Sequence, residues 1–501
     1  MELAMATGKR RCARGGDGGG TSAAGGSDRL SALPDCLLHV IMSSMKARQA
    51  VQTCVLSKRW RHLWRFVPGL DIDFDEFIAK TAARAFVDDG PALVSYDSSG
   101  SDDGNSDNNQ DGSEDDESDG ETSSSSSDGS SGSDEEDSSD NEDGISGSNS
   151  SKLNEWQVFE DFAVHLMLRC NMAMLDSFRL HITPGRAPAF GDWEAGKWLR
   201  RAMKFSTPDP PRESLGQRSS SSWHLKRLYL CNVVLDNCFA KHVSSLCPSL
   251  QDLELDDCTC EIHSITSDSL KSLVLKRCGW RKLSEITCPT LKTLVIDGGW
   301  NSYRCLLVIS APSVAYLRLN LNNVLSFHGG ISVNEMPSIV KASIHLQFQR
   351  INVFKSKFRG NLLKLLRSVS DATSLELSGD WIKVLGKEPA FQEFKNLRSL
   401  LLGECDLSDH TLGFFLHSSP NLDKLTWRHC KYSNDSKENK GTSKLNEASS
   451  SECHGHDLNL EKLKIEIIYK EGDASYYQLL YLLFPLVETL LKDRLTITKV
   501  N

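Results

Sequence analysis

The sequence predicts an α/β protein in two parts: a small all-helical module near the N-terminus, then a solenoid with parallel strands on its concave face and helical or irregular returns between them. Three observations predict it. Apolar residues between 28 and 77 recur at helical spacing, a Leu-x-x-Leu-x-Leu pattern recurs from residue 153 onward, and an acidic tract at 88–151 separates the two.

Bulk properties narrow the function class. The 501-residue chain is 39% hydrophobic, enough for a substantial core. Its net charge of −10 is concentrated, because residues 88–151 hold 21 acidic side chains and no Lys or Arg, so the remainder is net basic. The longest apolar stretches, such as 476–487, are too short and interrupted to cross a bilayer core of about 30 Å. Lys9, Arg10 and Arg11 are followed by Gly, Ser and Ala without the apolar centre of a secretory signal, so the chain is expected in the nucleus and/or cytoplasm. In those reducing compartments its 15 cysteines are expected as thiols.

Residues 1–27, rich in Gly, Ala and Ser, cannot bury enough apolar surface to offset chain entropy and read as a disordered leader. From 28 to 77 the pattern turns helical. Ser31 and Pro34 suit a helix start, and Leu33, Leu37, Val40, Ile41 and Met45 follow at roughly helical spacing. Two more short amphipathic segments, 49–54 and 58–64, carry Val51, Trp60, Leu63 and Trp64, with Val55 and Leu56 between them. About fifty residues make a small domain, so part of this apolar surface needs a partner.

Two stretches carry a resemblance: Asp28-Arg29-Leu30-Ser31-Ala32-Leu33-Pro34-Asp35, and Val55-Leu56-Ser57-Lys58-Arg59-Trp60-Arg61-His62-Leu63-Trp64. Together they resemble the F-box of plant F-box/leucine-rich-repeat proteins. The resemblance implies a module that binds a SKP-family adaptor and, through it, a cullin scaffold. Carried over residue by residue, Leu33, Pro34, Leu37, Ile41, Val55, Leu56, Trp60 and Trp64 would build the module or face the adaptor. Met42-Ser43-Ser44-Met45 departs conservatively from relatives that carry Ile-Leu or Leu-Ser there.

The Ser/Asp/Glu/Gly tract at 88–151 reads as a disordered linker. Within it Ser113 and Ser133 have acidic residues three positions on, a pattern that suits acidophilic kinases. The segment 156–170 reads as an amphipathic helix capping the N-terminal end of the solenoid.

From 153 to 490 the repeats follow. The cleanest start at Leu250, Leu270, Leu397 and Leu422 and end in Cys258, Cys278, Cys405 and Cys430; weaker ones start at Leu225, Leu291, Val314, Ile339, Ala372 and Leu460, and an irregular one lies at 175–182. Regular starts are 25, 20, 21, 23, 25, 33, 25, 25 and 38 residues apart. This is the leucine-rich-repeat spacing of one strand and one return per repeat, with the cysteine buried at the turn. Segments 237–246 and 409–417 have helical content and stop before Pro248 and Pro420. Inserts lie near 186–222 and 431–456, and 476–490 reads as a closing helix. Many plant relatives continue into a further C-terminal module, for which this chain is not expected to have room.

Residues alternating with the buried leucines form the candidate target surface: Arg227, Tyr229, Asp252, Glu254, Tyr316, Arg318, Lys424, Arg428, Lys462 and Lys464. The change from Asp252/Glu254 to Lys424/Arg428 suggests a target of complementary polarity. No nucleophile–base pair, phosphate loop or paired-CxxC arrangement appears. Cys258-Thr259-Cys260 and Cys453-His454-Gly455-His456 lack a second pair at zinc spacing. The expected role is therefore non-catalytic: an SCF-type ubiquitin-ligase subunit that binds an adaptor and a target protein, without cofactor, metal, nucleic acid or membrane. The alternative is an F-box protein acting as a non-degradative scaffold or small-molecule receptor.

Overall fold

The computed structural model describes residues 30, 32–78, 143–185, 187–188, 195–196, 224–302, 305–321, 330–347, 355–379, 381–382, 393–407, 409–432, 462–470 and 494–500. The expected leader, most of the acidic tract, nearly all of both inserts and the closing helix at 476–490 lie outside the described residues.

Pro34, in an extended conformation, precedes helix α1 (Asp35–Ser43), whose first turn carries Asp35 where the helix dipole favours a carboxylate. Helix α2 (Ala47–Gln52) and 3-10 turns at Thr53–Val55 and Trp60–Phe66 complete the module. Leu38 and Met42, one turn apart on α1, meet Ala47, Ala50, Trp60, Leu63 and Val67 in its core.

The sheet begins sooner than expected. Residues 28–77 were expected to be wholly helical, yet Gly69–Asp73 is strand β1, paired in parallel with β2 (Ser177–His181). Its Leu70 and Ile72 alternate with Asp71 and are buried, so the segment obeys the period of a strand. There follow β3 (Arg227–Cys231), β4 (Asp252–Asp256), β5 (Ser272–Lys276), β6 (Thr293–Asp297) and β7 (Tyr316–Leu321). Next come β8 (Lys341–Leu346), β9 (Ser374–Ser378), β10 (Ser399–Gly403), β11 (Lys424–Arg428), β12 (Lys464–Lys470) and β13 (Leu495–Val500). Among the described residues these thirteen strands form one parallel sheet in sequence order. The last lies beyond residue 490, where the solenoid was expected to stop.

Register explains the repeat. Leu228, Leu253, Leu273, Leu294 and Leu317 stand side by side across β3 to β7, as do Leu230, Leu255, Leu275, Ile296 and Leu319, and all are buried. One register differs from the sequence pattern: Leu425 and Trp427 pair with Ile465 and Ile467, so the last copy starts at Lys462 and not at Leu460. An isolated leucine two residues early drew the pattern out of phase.

One residue past several strands the chain takes a left-handed turn, at Asn232, Asp257, Arg277, Glu404 and His429. There Asp257 N–H donates to the Lys276 carbonyl and Arg277 N–H to that of Asp297, each at 2.8 Å, tying the turn to the next repeat. The cysteine that follows points inward. Cys258 Sγ lies 3.4 Å from the Leu230 carbonyl and Cys278 Sγ 3.4 Å from that of Leu255, so the thiols bond backward as the turns bond forward.

Repeat length limits the return. The longer repeats fit helices α4 (Asn237–Leu246, capped by Asp236 on Phe239 N–H at 2.9 Å), α5 (Lys355–Ser368) and α6 (Asp409–Ser418), once α3 (Asp143–Arg169) has closed the N-terminal end. The 20–23-residue repeats have no room for ten helical residues. Their returns at Ser264–Thr266, Glu285–Thr287 and Leu307–Ser310, joined by Ile331–Val333 of the 25-residue repeat that starts at Val314, pair as a second parallel ladder in place of helical or irregular chain. Helix α3 starts at Asp143, inside the 88–151 segment expected to be disordered. A helix anchored by packing further along extends through indifferent residues at little cost per residue, and Asp143 suits its N-terminal end.

Candidate functional site

The F-box module has two apolar surfaces. The inner one is the core already described. The outer one contains Leu37 (47% exposed), Val40 (59%), Val55 (83%) and Leu56 (62%), with Pro34 exposed beside them in sequence. With Leu30 (51%) and Phe66 (52%) also exposed, the module shows more large apolar side chains to solvent than some fifty residues need, the kind of surface that a partner protein covers. Arg59 bridges the module's two motif stretches: it pairs with Asp35 at 2.5 Å and donates to the Leu33 carbonyl.

Of the eight residues expected at the adaptor face, Pro34, Leu37, Val55 and Leu56 lie on the surface, while Leu33, Ile41 and Trp64 are half-buried against the core. Trp60 takes the first of the two expected roles, building the module and not facing the adaptor. It is 5% exposed and belongs to the module's interior. Val40 is on the surface but was read only as part of the α1 stripe. The signal was present, since Leu37, Val40 and Ile41 share one face while Leu38 and Met42 share another.

Behind that face the module is fastened to the solenoid. Lys46 Nζ reaches Asp71 at 3.2 Å and Asp73 at 2.6 Å on β1. Arg48 donates to the Glu76 carbonyl and lies 4.5 Å from the centre of the Phe77 ring. Phe74 packs edge-on against Trp156 and tilted against Phe159 of α3 at 5.4 and 4.9 Å, and Phe77 edge-on against Phe159 and tilted against Phe162 at 5.3 and 5.2 Å. Two backbone bonds, Asn171 N–H to Arg65 and Asp176 N–H to Pro68, both 2.8 Å, complete the seam.

Asp73 also bonds His181 Nδ1 at 3.1 Å. Burial works to raise the Asp73 pKa, but the bonds from His181, Lys46 and Asp75 N–H outweigh it and hold the carboxyl well below the usual range. The same Asp73 bond, followed by Cys231, lifts His181 to about 10. Asp73, Asp75 and His181 come close enough to share a cation, but Lys46 already brings a positive charge to Asp73. Because the folded His181 pKa lies above its ordinary 6.5, the stabilisation is complete below pH 6.5 and is lost as pH rises toward 10. Stability is expected to fall between pH 6.5 and 8, below the range of ordinary thiol ionisation, and His181→Gln to flatten that slope; urea midpoints across the window check it.

On the concave face, Arg227 lines a cavity of about 350 Å³ with Ser43, Pro68, Asp71, Ser177 and Arg179, and Arg179 lies 4.5 Å over the Tyr229 ring. The remaining charges are largely matched across strands. Glu254 binds Lys276 at 2.6 Å, Arg318 binds Asp297 at 3.5 Å, and Lys424 binds Glu466 at 2.8 Å. Arg428 reaches Glu376 at 3.6 Å across β10, where its register partner is Gly403. The expected polarity from Asp252/Glu254 to Lys424/Arg428 is thus locally compensated. Asp252 is half-buried, Tyr316 has Lys341 Nζ 5.9 Å from its ring centre, Lys464 stands beside Lys424 in register, and Lys462 precedes β12.

A helical module with exposed apolar residues, fused to a leucine-rich-repeat solenoid, defines the class: an F-box protein with a repeat domain. The F-box domain profile matches residues 30–69, and the profile described as "FBD-associated F-box protein At5g56370, LRR repeats" matches 199–346. The rice "MEIOTIC F-BOX protein MOF" (Oryza sativa subsp. japonica) is 27% identical over 471 residues, 90% of this chain and 82% of that protein. An Arabidopsis thaliana F-box/FBD/LRR-repeat protein is 25% identical over 418 residues, 80% of this chain and 76% of that protein. In F-box/LRR-repeat protein 13 of the same plant, 61 residues are 46% identical, 12% of this chain and 14% of that protein. The chain thus carries an F-box domain and leucine-rich repeats, and the relatives it resembles are plant F-box/FBD/LRR-repeat proteins. F-box domains generally bind SKP-type adaptors, and members of this family are generally non-catalytic substrate receptors.

Proposed function

We propose that this chain is the substrate-recognition subunit of a SKP–cullin–F-box ubiquitin ligase, acting in the nucleus or cytoplasm. The observation that carries the reading is the exposed Leu37/Val40/Val55/Leu56 surface, which a SKP-family adaptor would cover and through which a cullin scaffold would be recruited. The concave sheet would hold the target protein, with Arg227 and Tyr229 nearest the F-box and Lys424 and Arg428 far along the solenoid. Its contribution to rate is effective concentration: a target lysine held near a ubiquitin-charged enzyme reacts as if intramolecularly.

The test is capture of a SKP-family adaptor by the full chain and by the Val55→Asp/Leu56→Asp variant. Both side chains are exposed, so the fold is expected to survive the change. Burying a carboxylate in an interface centre costs at least the hot-spot threshold of about 2 kcal/mol, a roughly 30-fold weakening. Equal capture by both proteins would overturn the reading.

A further inference from the structure

We infer that Cys405 and Cys430 form an oxidative modification site, a thiol pair built to close into a disulfide between two consecutive repeats. Their sulfurs are 3.3 Å apart. Both residues sit two positions beyond strand partners, Gly403 opposite Arg428, and one position before a second paired set, Asp406 opposite Lys431. Parallel pairing on both sides holds the two backbones at about the interstrand spacing of 4.8 Å, inside the roughly 4.4–6.8 Å window that a disulfide spans. The sulfurs need close only by about 1.2 Å to reach bonding distance.

The other in-register pair, Cys258 and Cys278, also interacts thiol to thiol, and differs in that both of its thiols bond elsewhere as well. Cys258 and Cys278 direct their thiols at backbone carbonyls of the preceding strand, Leu230 and Leu255. Cys430 does the same toward Leu402 at 3.2 Å, but Cys405 has the Cys430 sulfur as its partner. The strand before it, β9, is followed by Gly379 at φ 113°, where other repeats turn at φ near 50°, so the backbone that would receive the backward contact differs there. The bond from Cys405 holds the Cys430 thiol below its ordinary range, and the same bond, with burial, pushes Cys405 up.

The oxidant is a peroxide. Cys430 thiolate attacks one oxygen of hydrogen peroxide, forming a sulfenic acid and releasing hydroxide. Cys405 sulfur then attacks the sulfenic sulfur; the S–S bond forms, the S–O bond breaks, and the Cys405 proton leaves in water. Two thiols are oxidised, one peroxide is reduced, and two waters result. The product ties β10 to β11 and restricts the unfolded chain between them.

The experiment uses the full chain, treated with hydrogen peroxide, alkylated, digested with trypsin and mapped by mass spectrometry without reductant. The expected product is a reducible link between peptides 399–424 and 429–431, together with a rise in the thermal midpoint that dithiothreitol reverses. Cys405→Ala is expected to abolish both responses. Recovery of Cys405 and Cys430 as alkylated thiols, under treatment that oxidises the exposed Cys36 and Cys238, would overturn the inference. The mapping is made on the unsubstituted protein, so it stands even if the variant folds poorly.

Discussion

Phe159→Ala is expected to destabilise the protein by about 3–5 kcal/mol, the cost of deleting a fully buried aromatic ring and leaving a cavity. Phe159 is 0% exposed and touches Phe74, Phe77 and Trp156, so the void would open where α3, β1 and the F-box tail converge. The expected signature is loss of the joint transition of the two parts: the F-box module and the solenoid would unfold at separate denaturant concentrations. A single transition, shifted by less than about 1 kcal/mol, would contradict the packing account.

Trp60→Ala is the second large effect, and it separates interior from surface. Truncating this core tryptophan is expected to cost about 3–5 kcal/mol, which is comparable to the whole stability that a module of some fifty residues can supply. Adaptor capture would then be lost together with helical signal. Val55→Asp/Leu56→Asp would lose capture while keeping it. Circular dichroism beside the capture assay distinguishes the two, and retained helicity in Trp60→Ala would show that this ring is not the keystone its burial implies.

Those contrasting outcomes mark where the sequence was readable. The repeats were legible because strand period and stacking period act together: Leu253, Leu255 and Cys258 recur as Leu273, Leu275 and Cys278, and only a stacked parallel sheet buries them all. The F-box motif was legible as a motif, but its orientation was not. In a helix as short as α1, Leu37 and Leu38 are equally apolar, and which one turns inward depends on Trp60 and Leu63 from later turns. Strand β1 escaped notice for a related reason. Five residues directly after a helical motif carry little periodicity of their own, and their partner β2 lies more than a hundred residues away. The concave charges looked like a gradient in one dimension; only the stacked sheet brings Lys276 diagonally to Glu254 and Glu466 diagonally to Lys424.

Because the F-box tail is itself the first rung of the sheet, the molecule has the properties of a ruler. Thirteen rungs at about 4.8 Å place the far end of the concave face roughly 58 Å from the first strand. Two sites eight rungs apart, at β3 and β11, differ by nearly 40 Å in their distance from the adaptor. With edge-on and tilted ring contacts and paired lysine–carboxylate contacts at its zero mark in place of a flexible joint, the scale does not slide. In the proposed ligase role, the rung that a target occupies would set which of its lysines falls within reach, making selection among lysines a matter of counting repeats as much as of contact chemistry.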